Sequence, residues 1–276
     1  MRKRKLFCEI SPTTYAIALR KQIVTRHIKN FLGKEKWAKT FHEEKLSVMV
    51  ASHSSDMIKR GPGIDLQLQL NKADNIRLAC SKINGLIIKP GESFSFWRYV
   101  GKTSKKNGFT EGRIIANGKL IAGVGGGLCN LANTINLVVL HSPMTITELH
   151  HHSDALAPDP DGKRVPYSAG TSVNYNFVDY RFRNDTQQPV QLCAWCDGDI
   201  LKTELRTTAH YPTTYRIVEE GHHFHKEPNG KLYRVSKIYR DTIDRATGNV
   251  TEHKLHWNNH SEVMFDYALI PQELID

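Results

Sequence analysis

The sequence predicts an α+β fold: a mixed or antiparallel sheet with a cysteine-bearing helix packed on it, and a β-rich C-terminal extension. Three observations carry that prediction. Apolar residues recur at helical spacing in only a few windows, one of them directly behind a run of glycines. Elsewhere, β-branched runs alternate in polarity between turn pairs such as Asn117-Gly118, Asn229-Gly230 and Thr247-Gly248. No internal repeat and no low-complexity stretch points to a solenoid or a linker array.

Along the chain, residues 15–32 place Ile17, Val24, Ile28 and Phe31 at helical spacing among basic residues, the pattern of an amphipathic helix. Residues 46–52 read as a strand. Asn71 is the expected cap of a helix over 72–87, with Ile76, Leu78, Ala79 and Ile83 on its apolar face. Pro90-Gly91 then turns the chain into 93–97, where Phe94, Phe96 and Trp97 are expected in the core or as a pocket wall. Asn117-Gly118 is the strongest hairpin signal, joining 113–116 to 119–122. That hairpin feeds Gly125, Gly126 and Gly127, behind which Leu128, Leu131, Ile135, Val138 and Val139 mark a helix that Pro143 ends. Residues 144–149 read as a strand running into His150, His151 and His152. Residues 154–166, with three prolines, read as an exposed loop and a rim for a peptide cleft. Long alternating strands are expected over 172–182 and 190–205, and short strands over 210–258. The domain reading is a basic helical segment at 1–60, a core at 61–207 and a β-rich extension at 208–276.

Composition bounds the class. At 276 residues, 39% apolar and 24% charged, the chain can bury one large core or two modest ones, as soluble globular proteins do. No stretch has the apolar length of a membrane span. The basic start lacks a signal-peptide apolar region, because Glu9, Pro12, Thr13, Thr14 and Arg20 interrupt it, so a cytoplasmic location is expected. The five cysteines, Cys8, Cys80, Cys129, Cys193 and Cys196, are odd in number and scattered, which suits a reducing compartment. Cys193 and Cys196 form a C-x-x-C on a strand, where the two thiols point to opposite faces. Residues 1–60 hold fourteen Lys/Arg against five Asp/Glu, a surplus of nine out of the net +10. Such a segment suits an anionic surface such as lipid headgroups, a wall polymer or nucleic acid, although a solvated helix face is the usual explanation and the preferred one. No nucleic-acid-binding signature accompanies the charge, and nucleic acid is not the expected partner.

The chemistry concentrates at Cys129. A thiol in the first turn of a helix faces unpaired N–H groups and the positive end of the macrodipole, which favour the thiolate. No packing purpose is evident for three glycines, whose backbone N–H groups suit an oxyanion hole. Along a strand His150 and His152 share one face, and an antiparallel return brings that face toward the helix start as a general base. Other readings stay open: Cys129 as a small apolar residue at a helix start, and the histidines as zinc ligands or as a solvated strand end. No cofactor is expected, and the zinc spacing matches no common signature.

These residues also carry a resemblance. Lys89-Pro90-Gly91-Glu92-Ser93-Phe94-Ser95-Phe96-Trp97, Ala116-Asn117-Gly118-Lys119-Leu120, Gly125-Gly126-Gly127-Leu128-Cys129, the run Leu140 to Glu148, His150-x-His152 and Arg183-Asn184-Asp185-Thr186 together resemble the VanW family, most strongly over 65–205. The resemblance implies bacterial cell-wall biology, a link to vancomycin resistance, and in some members L,D-transpeptidase activity on peptidoglycan stem peptides. It thus implies a cysteine acyltransferase with Cys129 as nucleophile, His150 or His152 as base, and Gly125, Gly126, Gly127 and Asn130 at the oxyanion. The partner is then a peptide or cell-wall precursor. The chain departs from the family pattern at Asn130 (often Gln), Ala132 (often Ser), Leu149 (often Arg) and Gly170 (often Asp). The acid that would orient the imidazole is left open among Asp154, Asp159, Asp161 and Asp179. A non-catalytic accessory protein that binds a peptide or glycopeptide is the competing expectation.

Overall fold

The computed structural model describes residues 6–60, 64–116, 119–155, 158, 170–175 and 177–276. Among these, the fold is α+β and rich in antiparallel strands. Its centre is a five-stranded sheet built from β1 (Thr40–Phe41), β2 (Val48–Asp56), β3 (Leu86–Ile88), β10 (Val190–Asp197) and β11 (Ile200–Thr207) in the order β1-β3-β10-β11-β2. Every pairing in it is antiparallel, with β10 and β11 forming a hairpin closed at Asp197 and Ile200. The helices α2 (Leu66–Ile83) and α4 (Leu128–Leu140) pack on this sheet. Ile76, Ile83, Leu131 and Ile135 from the helices meet Leu86, Ile88, Leu192 and Leu205 from the strands in one core. Each such side chain contributes about 1.5–3 kcal/mol by leaving water.

Three smaller sheets surround that layer. In the first, β4 (Ser93–Ser95), β9 (Arg181–Arg183) and β7 (Thr145–Glu148) lie in the order β4-β9-β7. Phe94 on β4 stacks against Phe182 at 5.0 Å and Tyr99 at 5.2 Å, the latter from the short helix α3 (Phe96–Val100). Phe94, Phe96 and Trp97 are all buried, as the sequence predicts. The second is the hairpin of β5 (Glu111–Ala116) and β6 (Lys119–Val124), paired as expected around Asn117-Gly118, two residues outside the described ones. The third is the tail: β12 (Thr213–Lys226), β13 (Leu232–Asp244) and β14 (Val250–Val263), joined at the far edge by β8 (Asp154–Ala155) running parallel to β14.

Several expectations need correction. The second helix begins after Asp65, whose carboxylate accepts the Leu68 N–H, so Asn71 lies inside the helix. There its amide donates to the Glu111 carbonyl. The alternating Leu66-Gln67-Leu68-Gln69-Leu70 concealed that first turn. The helix also stops at Ile83 rather than 87. Gly85 has φ +82° and an added Cβ would lie 2.4 Å from the His42 carbonyl oxygen, so the chain turns there and enters the sheet as β3. Residues 172–182 are not one strand; only Arg181–Arg183 is β9. Asn174 and Val178 exchange backbone bonds with each other, so the chain turns back on itself where a continuous strand would have run. The tail strands are long, not short, because bulges near Glu220, Ile238 and Thr242 break the alternation while the ladders continue. The loop expected over 154–166 lies largely outside the described residues, and its first two residues form β8.

Candidate functional site

The glycine run closes tightly against its neighbours. Gly125 and Gly127 have φ of +82° and +104°, and Gly127 is the residue before α4. A Cβ on Gly126 would lie 2.3 Å from the Gly112 carbonyl carbon on β5, and one on Gly127 would lie 2.4 Å from Lys72 Cγ on α2. The run therefore does have a packing purpose: it lets the hairpin, α2 and the start of α4 approach at backbone distance. Its polar groups are also engaged. The Gly125 N–H donates to the Thr110 carbonyl and the Gly126 N–H to the Gly123 carbonyl. Buried Asn75 donates to the Gly126 and Thr110 carbonyls. An oxyanion hole made from Gly125 and Gly126 would first have to break these bonds.

Cys129 is the second residue of α4. Its thiol donates to the Val173 carbonyl at 3.6 Å, and burial pushes the thiol pKa up. The direction is opposite to the lowered value expected from the helix terminus, because the loss of water around the sulfur outweighs the backbone hydrogen bonds that lower it. Asn130, the expected oxyanion amide, points elsewhere: its Oδ1 accepts from Ser55 Oγ and its Nδ2 donates to the Asp56 carbonyl on β2.

The histidines lie one layer away. The strip 170–173 runs between α4 and the triplet, held on one side by Asn133 and on the other by backbone bonds to the triplet. The Ser172 N–H donates to the His150 carbonyl, and the His152 N–H donates to the Gly170 carbonyl. Among the described residues no hydrogen bond joins Cys129 to His150 or His152. The His150 ring instead meets Glu148 at 3.0 Å and is 42% exposed. Burial lowers the His152 pKa, with Asp154 opposing. His151, on the other face, stacks on Trp257 of β14 at 3.8 Å, and burial lowers its pKa to about 4. No three His, Cys, Asp or Glu side chains converge as a metal set among the described residues.

Glu148 was missed by the sequence reading. It accepts both terminal nitrogens of Arg26 from the helix α1 (Pro12–Leu32), at 2.5 and 2.7 Å, and also the Asp179 N–H. Arg181 adds an ion pair at 3.4 Å. Burial works to raise its pKa, but Arg26, His150 and Arg181 hold the carboxyl below its ordinary value. Only its place two residues before a histidine on a strand hinted at this role. Of the four acids left open, Asp154 is the one beside His152, and Asp179 serves Ser95, Trp97, Tyr180 and Arg181. Asp159 and Asp161 lie outside the described residues. The C-x-x-C behaves as expected of a strand: Cys193 is buried near Lys45 and Glu204, whereas Cys196 meets Met57 and Cys80.

At the other end of α4 a cavity of about 350 Å³ opens between β2, the helix C-terminus and the start of β12. His53, His141, Thr214, Tyr215 and Arg245 line it, with Leu137 as apolar floor. The His141 Nδ1 bonds the Leu137 carbonyl. Burial, and then the charge of His141, lower the His53 pKa. Arg245 donates through Nε to the Tyr211 carbonyl and pairs with no carboxylate among the described residues. An apolar wall with convergent polar groups and a guanidinium suits a peptide or an anionic group.

Comparison with known proteins gives three findings. Residues 71–206 match the family model described as VanW like protein. The chain is 29% identical over 229 residues to the vancomycin B-type resistance protein VanW of Enterococcus faecalis (strain ATCC 700802 / V583), covering 83% of this chain and 82% of that protein. It is 29% identical over 160 residues to YoaR of Bacillus subtilis (strain 168), covering 54% of this chain and 50% of that one. No solved structure matches.

Proposed function

Residues 71–206 make this chain a member of the VanW family, and from that premise we propose that it is a non-catalytic accessory protein of the cell wall or of vancomycin resistance, binding a peptide or glycopeptide. The observation that carries this reading is the state of Cys129. Its thiol is half-buried, donates to a backbone carbonyl, and has its pKa raised by the loss of water around it. A nucleophile needs a lowered thiol pKa and a basic ring as its partner. The cavity at the other end of α4 supplies the alternative surface, with Arg245 available to a ligand carboxylate.

The test uses a soluble muropeptide bearing its stem peptide. Calorimetry is expected to show binding that Arg245→Ala weakens about tenfold or more and that Cys129→Ala leaves unchanged. Site-resolved alkylation is expected to find Cys129 inert near neutral pH, its rate rising only in alkali. A reaction rate that levels off at or below neutrality, or a thioester adduct on Cys129, overturns the reading.

One observation favours a second reading, cysteine acyl transfer. Cys129 and the Glu148-bonded His150 flank the same 170–173 strip. If that strip opened on substrate, Cys129 would act as nucleophile, His150 or His152 as base, and Gly125, Gly126, Gly127 and Asn130 at the oxyanion. The thioester adduct is the result that would establish it.

A further inference from the structure

The helix α1 (Pro12–Leu32) turns its more apolar ridge away from the protein. Thr14, Ala18, Leu19, Ile23, Arg26 and Asn30 are its half-buried positions, the last four along the inner side. Arg26 reaches Glu148 and the Phe177 carbonyl, and Arg181 donates to Asn30 Oδ1 at 2.7 Å, so the inner side is fastened largely by polar bonds. Positions 17, 24, 28 and 31 are spaced seven, four and three apart, which aligns them on the opposite side. There Ile17, Val24, Ile28 and Phe31 are 54%, 51%, 53% and 88% exposed. A helix that folds against its own body for hydrophobic reasons places such a stripe inward. This one does the opposite over four turns.

Two further observations identify what covers the ridge. Arg20 and Lys21 border it, and neither forms an ion pair with a carboxylate among the described residues. Phe7 and Ile10, just ahead of the helix, are also more than half exposed, and Arg2, Lys3, Arg4 and Lys5 precede them in the sequence. The first sixty residues carry a positive surplus of nine, so a second copy of the chain would meet the ridge with charge of the same sign. Nucleic acid would use the charge and leave the apolar stripe wet. An anionic bilayer uses both, taking the apolar ridge at the acyl boundary while flanking cations reach the phosphates. No helix among the described residues is long and apolar enough to cross a membrane, so α1 would lie in the surface plane.

We propose that α1 docks the protein on an anionic lipid surface, with Ile17, Val24, Ile28 and Phe31 entering the interface and Arg20 and Lys21 engaging lipid phosphates. The test is flotation of the full chain with vesicles of equimolar phosphatidylglycerol and phosphatidylcholine. Binding is expected, falling about tenfold or more on vesicles of phosphatidylcholine alone. The double variant Val24→Asp/Ile28→Asp should lose binding to a similar extent while keeping the wild-type thermal melt, because neither side chain belongs to the core. The charge variant Arg20→Glu/Lys21→Glu should weaken binding and make it less dependent on salt. No binding by the wild type overturns the proposal. So does equal binding by the double aspartate variant, which would mean that charge alone carries the interaction. A wild-type dimer in sedimentation velocity that the aspartates dissolve, with no vesicle binding, would make the ridge a self-association face and overturn it as well.

Discussion

Glu148 gathers four groups around one carboxylate: Arg26 of α1, His150, the Asp179 backbone and Arg181 of β9. Replacing it with Gln keeps the shape and removes the charge that the two guanidinium groups require. Glu148→Gln is expected to cost about 1–2 kcal/mol in urea unfolding, a modest figure because the group is not sealed from water. Its lowered pKa contributes stability that is present above the ordinary carboxylate value of 4.5 and is lost as pH falls through the lower folded value. The variant should therefore lose less stability than the wild type on acidification below that point. Asn136 on α4 is a different case. It is fully buried, and neither its Oδ1 nor its Nδ2 has a partner among the described residues. Asn136→Leu, which keeps the branched shape and removes both polar atoms, is expected to raise stability by about 1 kcal/mol, read as a higher urea midpoint at unchanged m-value. In the sequence Glu148 is marked only by its place two residues before His150, and Asn136 by nothing local, since tertiary packing decides which polar side chains are buried and what they meet.

At the scale of elements, the glycine run shows how the same residues serve two arguments. Their freedom at positive φ suggested a substrate cradle, but Gly112 and Lys72 occupy the space a side chain would need. Gly126→Ala is expected to cost more than about 2 kcal/mol, because the obstacle is backbone and has nowhere to move. Gly198→Ala in the β10–β11 turn has open space and φ +56°, so only about 1 kcal/mol of conformational strain is expected. Parallel urea titrations of the two variants distinguish close packing from backbone conformation. The helix of 128–140 and the hairpin feeding it were legible because each announces itself locally, by apolar spacing and by Asn-Gly. The start of α2 was not, because Leu-Gln alternation imitates a strand until Asp65 caps it.

Across the whole molecule, His151 ties the central body to the tail sheet by stacking on Trp257. Its pKa is depressed from 6.5 to about 4, chiefly by burial and then by the nearby charge of His256. The unfolded chain therefore takes up the proton first as pH falls. The stability is complete above 6.5 and drains away between there and about 4. Urea midpoints should drop between pH 7 and pH 5, and His151→Phe, which keeps a ring against Trp257, should flatten that dependence. A pH response unchanged by the variant would place the titration elsewhere.

Taken alone, the sequence determined the family, the α+β class, the helix behind the glycines and the basic, amphipathic N-terminal segment. Each of these is written in the order and spacing of neighbouring residues. Tertiary structure alone decided that the Cys129 thiol lies against the Val173 carbonyl, and that the apolar ridge of α1 faces outward. Periodicity gives a helix its faces but does not say which face the body takes. Likewise, a thiol's pKa depends on the groups packed around it, here a strip of chain more than forty residues away.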